Sequence, residues 1–488
     1  MRDHLLIYLN GAPLRVTGDD AFLTLTEFLR KRRGMPGTKV VCAEGDCGSC
    51  AALLGKLQPD GSIAYTNVTA CIQLMLQLDG VHVVTIEGLS PPANSNDLTP
   101  IQDAMVECHG TQCGFCTPGF VVTLYQLLHD DQPRDTHELR RGLTGNLCRC
   151  TGYDSIVQAA EQTDRDQLDP LDSLYPPQPI AEALQRAAVE PVDLRAADGR
   201  RFFKPTTLDD ATAWLDEQHQ DGITPTIIAG GTDLGVLNNH RKIRPETVLA
   251  TTALPELQGI EAVDGTVRMG GATPLSRLED LCKIHLPQMT EYLGWFGSPL
   301  IRNAGTLAGN LCTASPIGDT APALYALGAS LELASKDGTR SMPVEDFHTG
   351  YRTTKLRPGE LLTRVDIPLP KPNEVVRFYK VSKRRDMDIS TFSAAAWLRV
   401  TDRRIEDARL AFGGVGPRVL RIPEAEAELI DQPFEYASFD RAAAAARAAV
   451  KPLSDVRGSD TYRTALAGNI LRKLWHDLAD PRPVLEAS

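Results

Sequence analysis

No apolar run in the 488-residue chain approaches the roughly 18 residues that a membrane-spanning helix requires. The sequence therefore reads as that of a soluble protein with no membrane partner. Clusters of lysine and arginine are also missing, and the formal net charge is −12. Binding to a phosphate backbone needs a positive footprint, which argues against nucleic acid. The opening stretch MRDHLLIYLNG lacks the apolar core and small-residue cleavage site of a secretory signal, so a cytoplasmic location is expected. Cysteine is sparse over most of the chain: of 11, only Cys282 and Cys312 lie beyond residue 150. An odd count in a large chain argues against the disulfide framework of a small secreted domain. No histidine pair accompanies the clustered cysteines, which argues against a Rieske site. No G-x-G-x-x-G follows a strand pattern, so any dinucleotide site is not of the Rossmann kind.

What is present is concentrated early. Cys42, Cys47 and Cys50, followed by Cys71, follow the C-x4-C-x2-C…C spacing of a plant-type [2Fe–2S] loop. Gly45 and Gly48 fall between the ligands, where a missing Cβ lets backbone N–H groups turn toward sulfur. A second set, Cys113 with Cys116 and Cys148 with Cys150, supplies two pairs of thiolates to a second cluster or to a structural zinc ion. Cys108 lies on an apolar helical face, and Cys282 and Cys312 are isolated. These three read as buried free thiols.

The surrounding pattern suggests an α+β multidomain chain. Alternation at 5–9 and 14–16 about Asn10-Gly11 reads as a hairpin. Thr24 with Glu27 forms a capping box ahead of Leu25, Phe28 and Leu29, and residues 81–89 close the unit as a strand. Pro91, Pro92 and Asn94 to Asn96 mark a linker. Helices are expected after Thr99-Pro100 and Thr117-Pro118, each threonine capping and each proline at the first helical position. Two more are expected near 138–143 and after Tyr153. Beyond a linker at 164–200, in which at most one short helix is expected, strand and helix patterns alternate to 370, and a final strand-then-helix unit runs from 371 to 488.

Two glycine-rich loops stand out in the third segment. In the first, Ile227, Ile228 and Ala229 run into Gly230, Gly231, Thr232, Asp233 and Leu234. Such a turn lets backbone N–H groups approach a pyrophosphate, or is an ordinary glycine turn. The second contains Thr306, Asn310 and Asp319, residue types that hydrogen-bond phosphate and ribitol.

The motifs GDCGSC (45–50), QCGFCTPG (112–119) and CRCTGY (148–153), followed by these two loops, occur in an order that resembles the molybdenum hydroxylase family. Within it, they resemble the small, electron-transferring subunit of bacterial purine-oxidising dehydrogenases. The resemblance covers nearly the whole chain. It implies a ferredoxin-like β-grasp domain (1–90) with one [2Fe–2S] cluster on Cys42, Cys47, Cys50 and Cys71. A four-helix bundle (91–163) would hold the other on Cys113, Cys116, Cys148 and Cys150. A vanillyl-alcohol-oxidase-like FAD domain (201–370) and a small C-terminal α+β domain (371–488) complete the expected architecture.

By motif match, the first loop with Thr306, Asn310 and Asp319 contacts FAD. The same match implies that Phe296 packs on the flavin ring, that Leu362 lies near the adenine and that Lys380 lies at the flavin end. Tyr351, in Gly350-Tyr351-Arg352, marks the nicotinamide entrance, although His348 and Thr349 depart from the aromatic, proline-containing version of animal members. The charged stretch KRRDMDIS (383–390) faces the flavin or is simply a solvated face. The resemblance also implies that Gln112 touches molybdopterin on a large partner subunit, in an expected assembly of two small and two large chains. No catalytic side chain is implied on this chain, and the substrate-oxidising site is expected on that partner. Electrons are expected to run from molybdenum through the helical-domain cluster, then the ferredoxin-like cluster, to FAD and NAD+. The alternatives are the same role for an aldehyde or N-heteroaromatic substrate, or a stand-alone electron carrier.

Overall fold

The computed structural model describes residues 1–89, 98–129 and 135–479; the expected linker at Pro91–Asn96 lies outside them. The chain forms two compact units, Met1–Glu256 with Gly297–Gly305, and Leu257–Phe296 with Thr306–Ser488.

The first unit opens with β1 (Leu5–Leu9) and β2 (Ala12–Val16). They turn at Asn10-Gly11, both with positive φ, the backbone that a two-residue hairpin on twisted strands needs. β3 (Ala51–Leu57), β4 (Ile63–Thr69) and β5 (Val81–Val84) complete a sheet of order β2-β1-β5-β3-β4. β1 and β5 are parallel, with Ile7 opposite Val81. A parallel pair needs a crossover, and the helix Leu25–Arg32 lies along it. The expected capping box is present: Glu27 N–H donates to Thr24 Oγ1 at 3.2 Å and Thr24 N–H to Glu27 Oε2 at 3.3 Å. Leu25, Phe28 and Leu29 are buried in the core beside Leu5, Ile7 and Val83.

Four helices follow, Pro100–Glu107, Thr117–His129, Thr136–Gly142 and Asp154–Gln162. Ile101, Phe120, Leu124, Leu139 and Ile156 share their core. Thr99 caps the first helix as expected. Thr117 does not cap the second: it is the first helical residue, and the Phe120 N–H reaches back to the Cys116 carbonyl at 3.2 Å. The helix therefore begins against a cysteine. The stretch read as a linker is more structured than expected, carrying the helix Pro177–Ala188 and β6 (Val192–Arg195). With β7 (Arg201–Lys204), β8 (Thr226–Ile228) and β9 (Thr247–Ala250), β6 forms a sheet of order β6-β7-β9-β8.

In the second unit, β10 (Ile260–Val263), β11 (Thr266–Gly270), β12 (Ser330–Ser335) and β13 (Gly338–Pro343) lead to a short hairpin, β14 (His348–Gly350) and β15 (Thr353–Thr354). β16 (Leu361–Pro368) then returns to the centre of a sheet of order β10-β11-β16-β12-β13. The helices Leu275–His285, Pro287–Gly294 and Thr320–Leu327 contribute to the same core. β17 (Glu374–Val381), β18 (Phe392–Thr401) and β19 (Arg404–Gly413) form an antiparallel sheet. Buried residues of β18 and β19 share a core with the helices Tyr436–Ala449 and Asp460–Ala479. The segment expected as one FAD domain, 201–370, is thus divided between the two compact units. Among the described residues, no helix is long and apolar enough to cross a membrane.

Candidate functional site

The first cysteine loop is shaped by backbone that only small residues tolerate. Gly45 and Gly48 have φ of +82° and +63°, and a methyl group at Gly48 would lie 2.2 Å from the Gly145 carbonyl oxygen. Within this loop, Cys42 hydrogen-bonds with the Cys47 and Cys71 thiols, and Cys71 also with Cys50. The contact with Cys47, then that with Cys71, holds Cys42 far below the ordinary thiol range. The same contacts, with burial, push Cys47 and Cys71 far above it. Thiols this close titrate as one set, whose protons come off in steps that belong to the set as a whole.

The second set meets two by two. Cys150 is raised by its hydrogen bond to Cys113. Burial, then the Cys148 thiol, pushes Cys116 up to about 12. Burial opposes ionisation of Cys148, but hydrogen bonds led by the Thr151 hydroxyl, 3.1 Å from its sulfur, outweigh it and lower the pKa. The pairs Cys113–Cys150 and Cys116–Cys148 suit a cluster in which each of two irons takes two thiolates.

The two cysteine sets touch through backbone. The Leu147 N–H donates to the Cys47 carbonyl at 2.9 Å, and Asn146 Nδ2 donates to the Gly48 carbonyl at 3.3 Å. Leu147 immediately precedes Cys148, so one hydrogen bond joins a ligand of one set to the neighbour of a ligand of the other. Gly119, in the helix Thr117–His129, makes this approach possible: a methyl group there would sit 2.2 Å from the Gly48 carbonyl oxygen.

One face of the second set is open. Cys113 and Cys150 are exposed, as are Gln112, Phe115, Leu147 and Tyr153, whereas Cys148 is buried. Cys282 is buried as expected, and Cys108 is half-buried with its Sγ 3.0 Å from Gln162 Oε1. Cys312 is exposed, contrary to expectation. The buried stripe of its helix runs through Leu307, Ala308 and Leu311, and Cys312 falls off that stripe.

Of the flavin candidates, Ile227 to Leu234 belong to the first unit. There β8 ends at Ile228, and Gly231, with φ +68°, precedes the helix Thr232–Asn239. Packing alone already demands glycine at Gly230, where a methyl group would lie 2.0 Å from the Ala304 carbonyl oxygen. Phe296, Thr306, Asn310, Asp319, Tyr351, Leu362 and Lys380 belong to the second unit. Thr306 caps the helix Leu307–Thr313, its Oγ1 accepting from the Gly309 N–H at 3.0 Å. Asn310 Oδ1 accepts from the Thr320 hydroxyl at 2.5 Å.

Asp319 and Lys380, distant in sequence, form a buried ion pair at 2.5 Å with side chains 7% and 2% exposed. The Ser390 hydroxyl occupies the other carboxylate oxygen at 2.5 Å. Leu362 is buried in β16 and faces core neighbours. Phe296 packs at the edge of the same core. Tyr351 and Arg352 form the tip of the β14–β15 hairpin, with Tyr351 64% exposed. The hydroxyl and amide groups of the second loop are of a kind that hydrogen-bonds phosphate or ribityl oxygens, whereas the Asp319 carboxylate already serves Lys380 and Ser390. Sequence reasoning gave no role to Leu147, nor to Asn239, which reaches the first cysteine loop from the end of the helix Thr232–Asn239.

Three family models match the chain: a [2Fe-2S] binding domain over 85–161, the FAD binding domain in molybdopterin dehydrogenase over 196–370, and the CO dehydrogenase flavoprotein C-terminal domain over 377–478. Xanthine dehydrogenase of Oryza sativa subsp. japonica is 28% identical over 517 residues, covering 89% of this chain and 37% of that protein. The chain thus spans little over a third of that relative's length. A reconstituted CO dehydrogenase from Oligotropha carboxidovorans is 30% identical with a TM-score of 0.52, over 55% of this chain and 94% of that one. Quinoline 2-oxidoreductase from Pseudomonas putida 86 is 28% identical with a TM-score of 0.52, over 57% of this chain and 96% of that one. The chain belongs to the molybdenum hydroxylase family, as the part of such an enzyme that carries its [2Fe–2S] and FAD domains.

Proposed function

We propose that the chain is the electron-transfer part of a xanthine dehydrogenase, holding two [2Fe–2S] clusters and FAD, and working with a large molybdopterin-binding partner and NAD+. When bound, the clusters supply one-electron steps and the flavin converts them to the two-electron reduction of the acceptor. The observation that carries the reading is the hydrogen bond from the Leu147 N–H to the Cys47 carbonyl, which joins the backbone of one cysteine set directly to that of the other.

Around it, the chain's own residues divide the work. Cys42, Cys47, Cys50 and Cys71 hold one cluster, and Cys113, Cys116, Cys148 and Cys150 the other. Exposed Cys113, Cys150, Gln112 and Phe115 offer the second set to a partner that delivers electrons, and an exposed aromatic beside polar groups suits a docking face. Ile227 to Leu234, Phe296, Thr306, Asn310, Asp319, Leu362 and Lys380 are the proposed flavin contacts. Tyr351, on its hairpin tip, is the proposed NAD+ contact.

The xanthine type is favoured by coverage. The match to the rice protein runs through 89% of this chain, whereas the CO dehydrogenase and quinoline oxidoreductase chains are nearly exhausted over 55% and 57% of it. These solved relatives keep a second reading in view: the same relay serving another oxidised substrate.

The test is Cys113→Ser in the complete complex. Flavin content should stay at the native level while xanthine-driven flavin reduction is lost. Native-rate flavin reduction in that variant overturns the relay order. Hydroxylation by the native complex of an aldehyde or N-heteroaromatic, but not of xanthine, selects the second reading.

A further inference from the structure

We propose that Asn239 is a positioning residue for the first cysteine set, holding the peptide that donates a hydrogen bond to Cys42. The inference rests on the reading of that set as a [2Fe–2S] site. Asn239 is the last residue of the helix Thr232–Asn239. Its Nδ2 donates to the Ala43 carbonyl at 2.8 Å and to the Cys71 carbonyl at 2.8 Å. One NH2 group has two hydrogens, so both are committed, and the amide bridges the two segments that carry Cys42 and Cys71.

The Ala43 carbonyl and the Glu44 N–H belong to a single peptide unit. The Glu44 N–H points at Cys42 Sγ, 3.4 Å away. A donor on the carbonyl polarises that peptide and strengthens its N–H as a donor on the opposite edge. N–H bonds to cluster sulfurs are among the levers that set a cluster's potential. The peptide also needs holding, because Ala43 has φ +57°, a left-handed conformation that costs a non-glycine residue energy. Asn239 therefore acts through the Ala43–Glu44 peptide.

The amide is delivered on a fixed support. A methyl group at Gly235 would lie 2.1 Å from the Ile72 carbonyl oxygen, so the helix packs directly on the residue after Cys71. At the helix's other end, Gln77 Nε2 donates to the Ala229 carbonyl at 3.0 Å. The neighbouring contact, His240 Nε2 to Glu44 Oε1 at 2.7 Å, joins side chains 43% and 44% exposed. An exposed pair of this kind contributes little, so the amide carries the positioning.

Asn239→Leu keeps the shape and removes the donors. Outer-shell partners of metal ligands typically cost 10–100-fold in affinity when lost, so iron release from the first cluster to a chelator should quicken by about 10–100-fold. Its reduction potential should fall, with the EPR signal of the second cluster unchanged. His240→Gln, which breaks only the exposed pair, should stay within about two-fold of native release. Asn239→Asp, also isosteric, repeats the test if the leucine variant does not fold. Unchanged release and potential in the Asn239 variants, or an equal loss in His240→Gln, overturns the positioning role alone. Native protein without the first cluster overturns both this inference and the relay reading.

Discussion

His82 is fully buried in the first unit between two opposite demands on its ring. The Gly11 N–H donates to Nε2 at 3.0 Å, so the proton sits on Nδ1, which donates to the Tyr65 hydroxyl at 2.7 Å. Tyr175 covers the ring edge-on at 5.0 Å. Burial lowers the pKa of His82 to about 4. A histidine depressed in the folded state is neutral there while the unfolded chain takes up a proton below about 6.5. Its contribution to stability is therefore intact above that pH and is lost as pH falls toward 4. By pH 5 the loss is about 2 kcal/mol. Urea titrations at pH 7.5 and 5 should show this, and His82→Phe should reduce the difference. Lys380 presents the other kind of burial. Lys380→Met strands the Asp319 carboxylate, and removing one partner of a buried pair costs about 3–5 kcal/mol. Thermal unfolding should register that cost, and adding Asp319→Asn should recover much of it.

Among the elements, the helix Thr117–His129 has an exacting seat, because Gly119 lets it press against the backbone of Gly48 and Ser49. Gly119→Ala would force the two apart. Overpacking of this kind costs about 1–3 kcal/mol, and here it should also lower iron content per chain, as urea midpoints and iron analysis can show. Much at this scale was legible in the sequence because the signals are local. The capping box at Thr24, the N-cap at Thr99 and the Asn10-Gly11 turn lie within a few residues of what they specify. Thr117 was misread because a Thr-Pro pair looks the same at the cap as one step inside the helix. Asn239 was invisible because its partners Ala43 and Cys71 are remote in the chain, and an asparagine at a helix end has an ordinary explanation as a terminator.

At the scale of the whole molecule, the order of the iron–sulfur, FAD and C-terminal segments came from the motifs and the family they resemble, but the division into compact units was not legible. Residues 297–305 belong with the first unit, and the candidate flavin residues fall some in one unit and some in the other. Such a division depends on long-range packing that no linker composition announces. The assignment of residues to cofactors depends instead on the chemistry of each donor set. The most direct test is the iron, acid-labile sulfide and flavin content of anaerobically purified protein, with EPR spectra after dithionite reduction. The account predicts about four irons, four sulfides and one FAD per chain, with two distinct rhombic signals. Zinc bound by the second cysteine set, or protein without flavin, would contradict it.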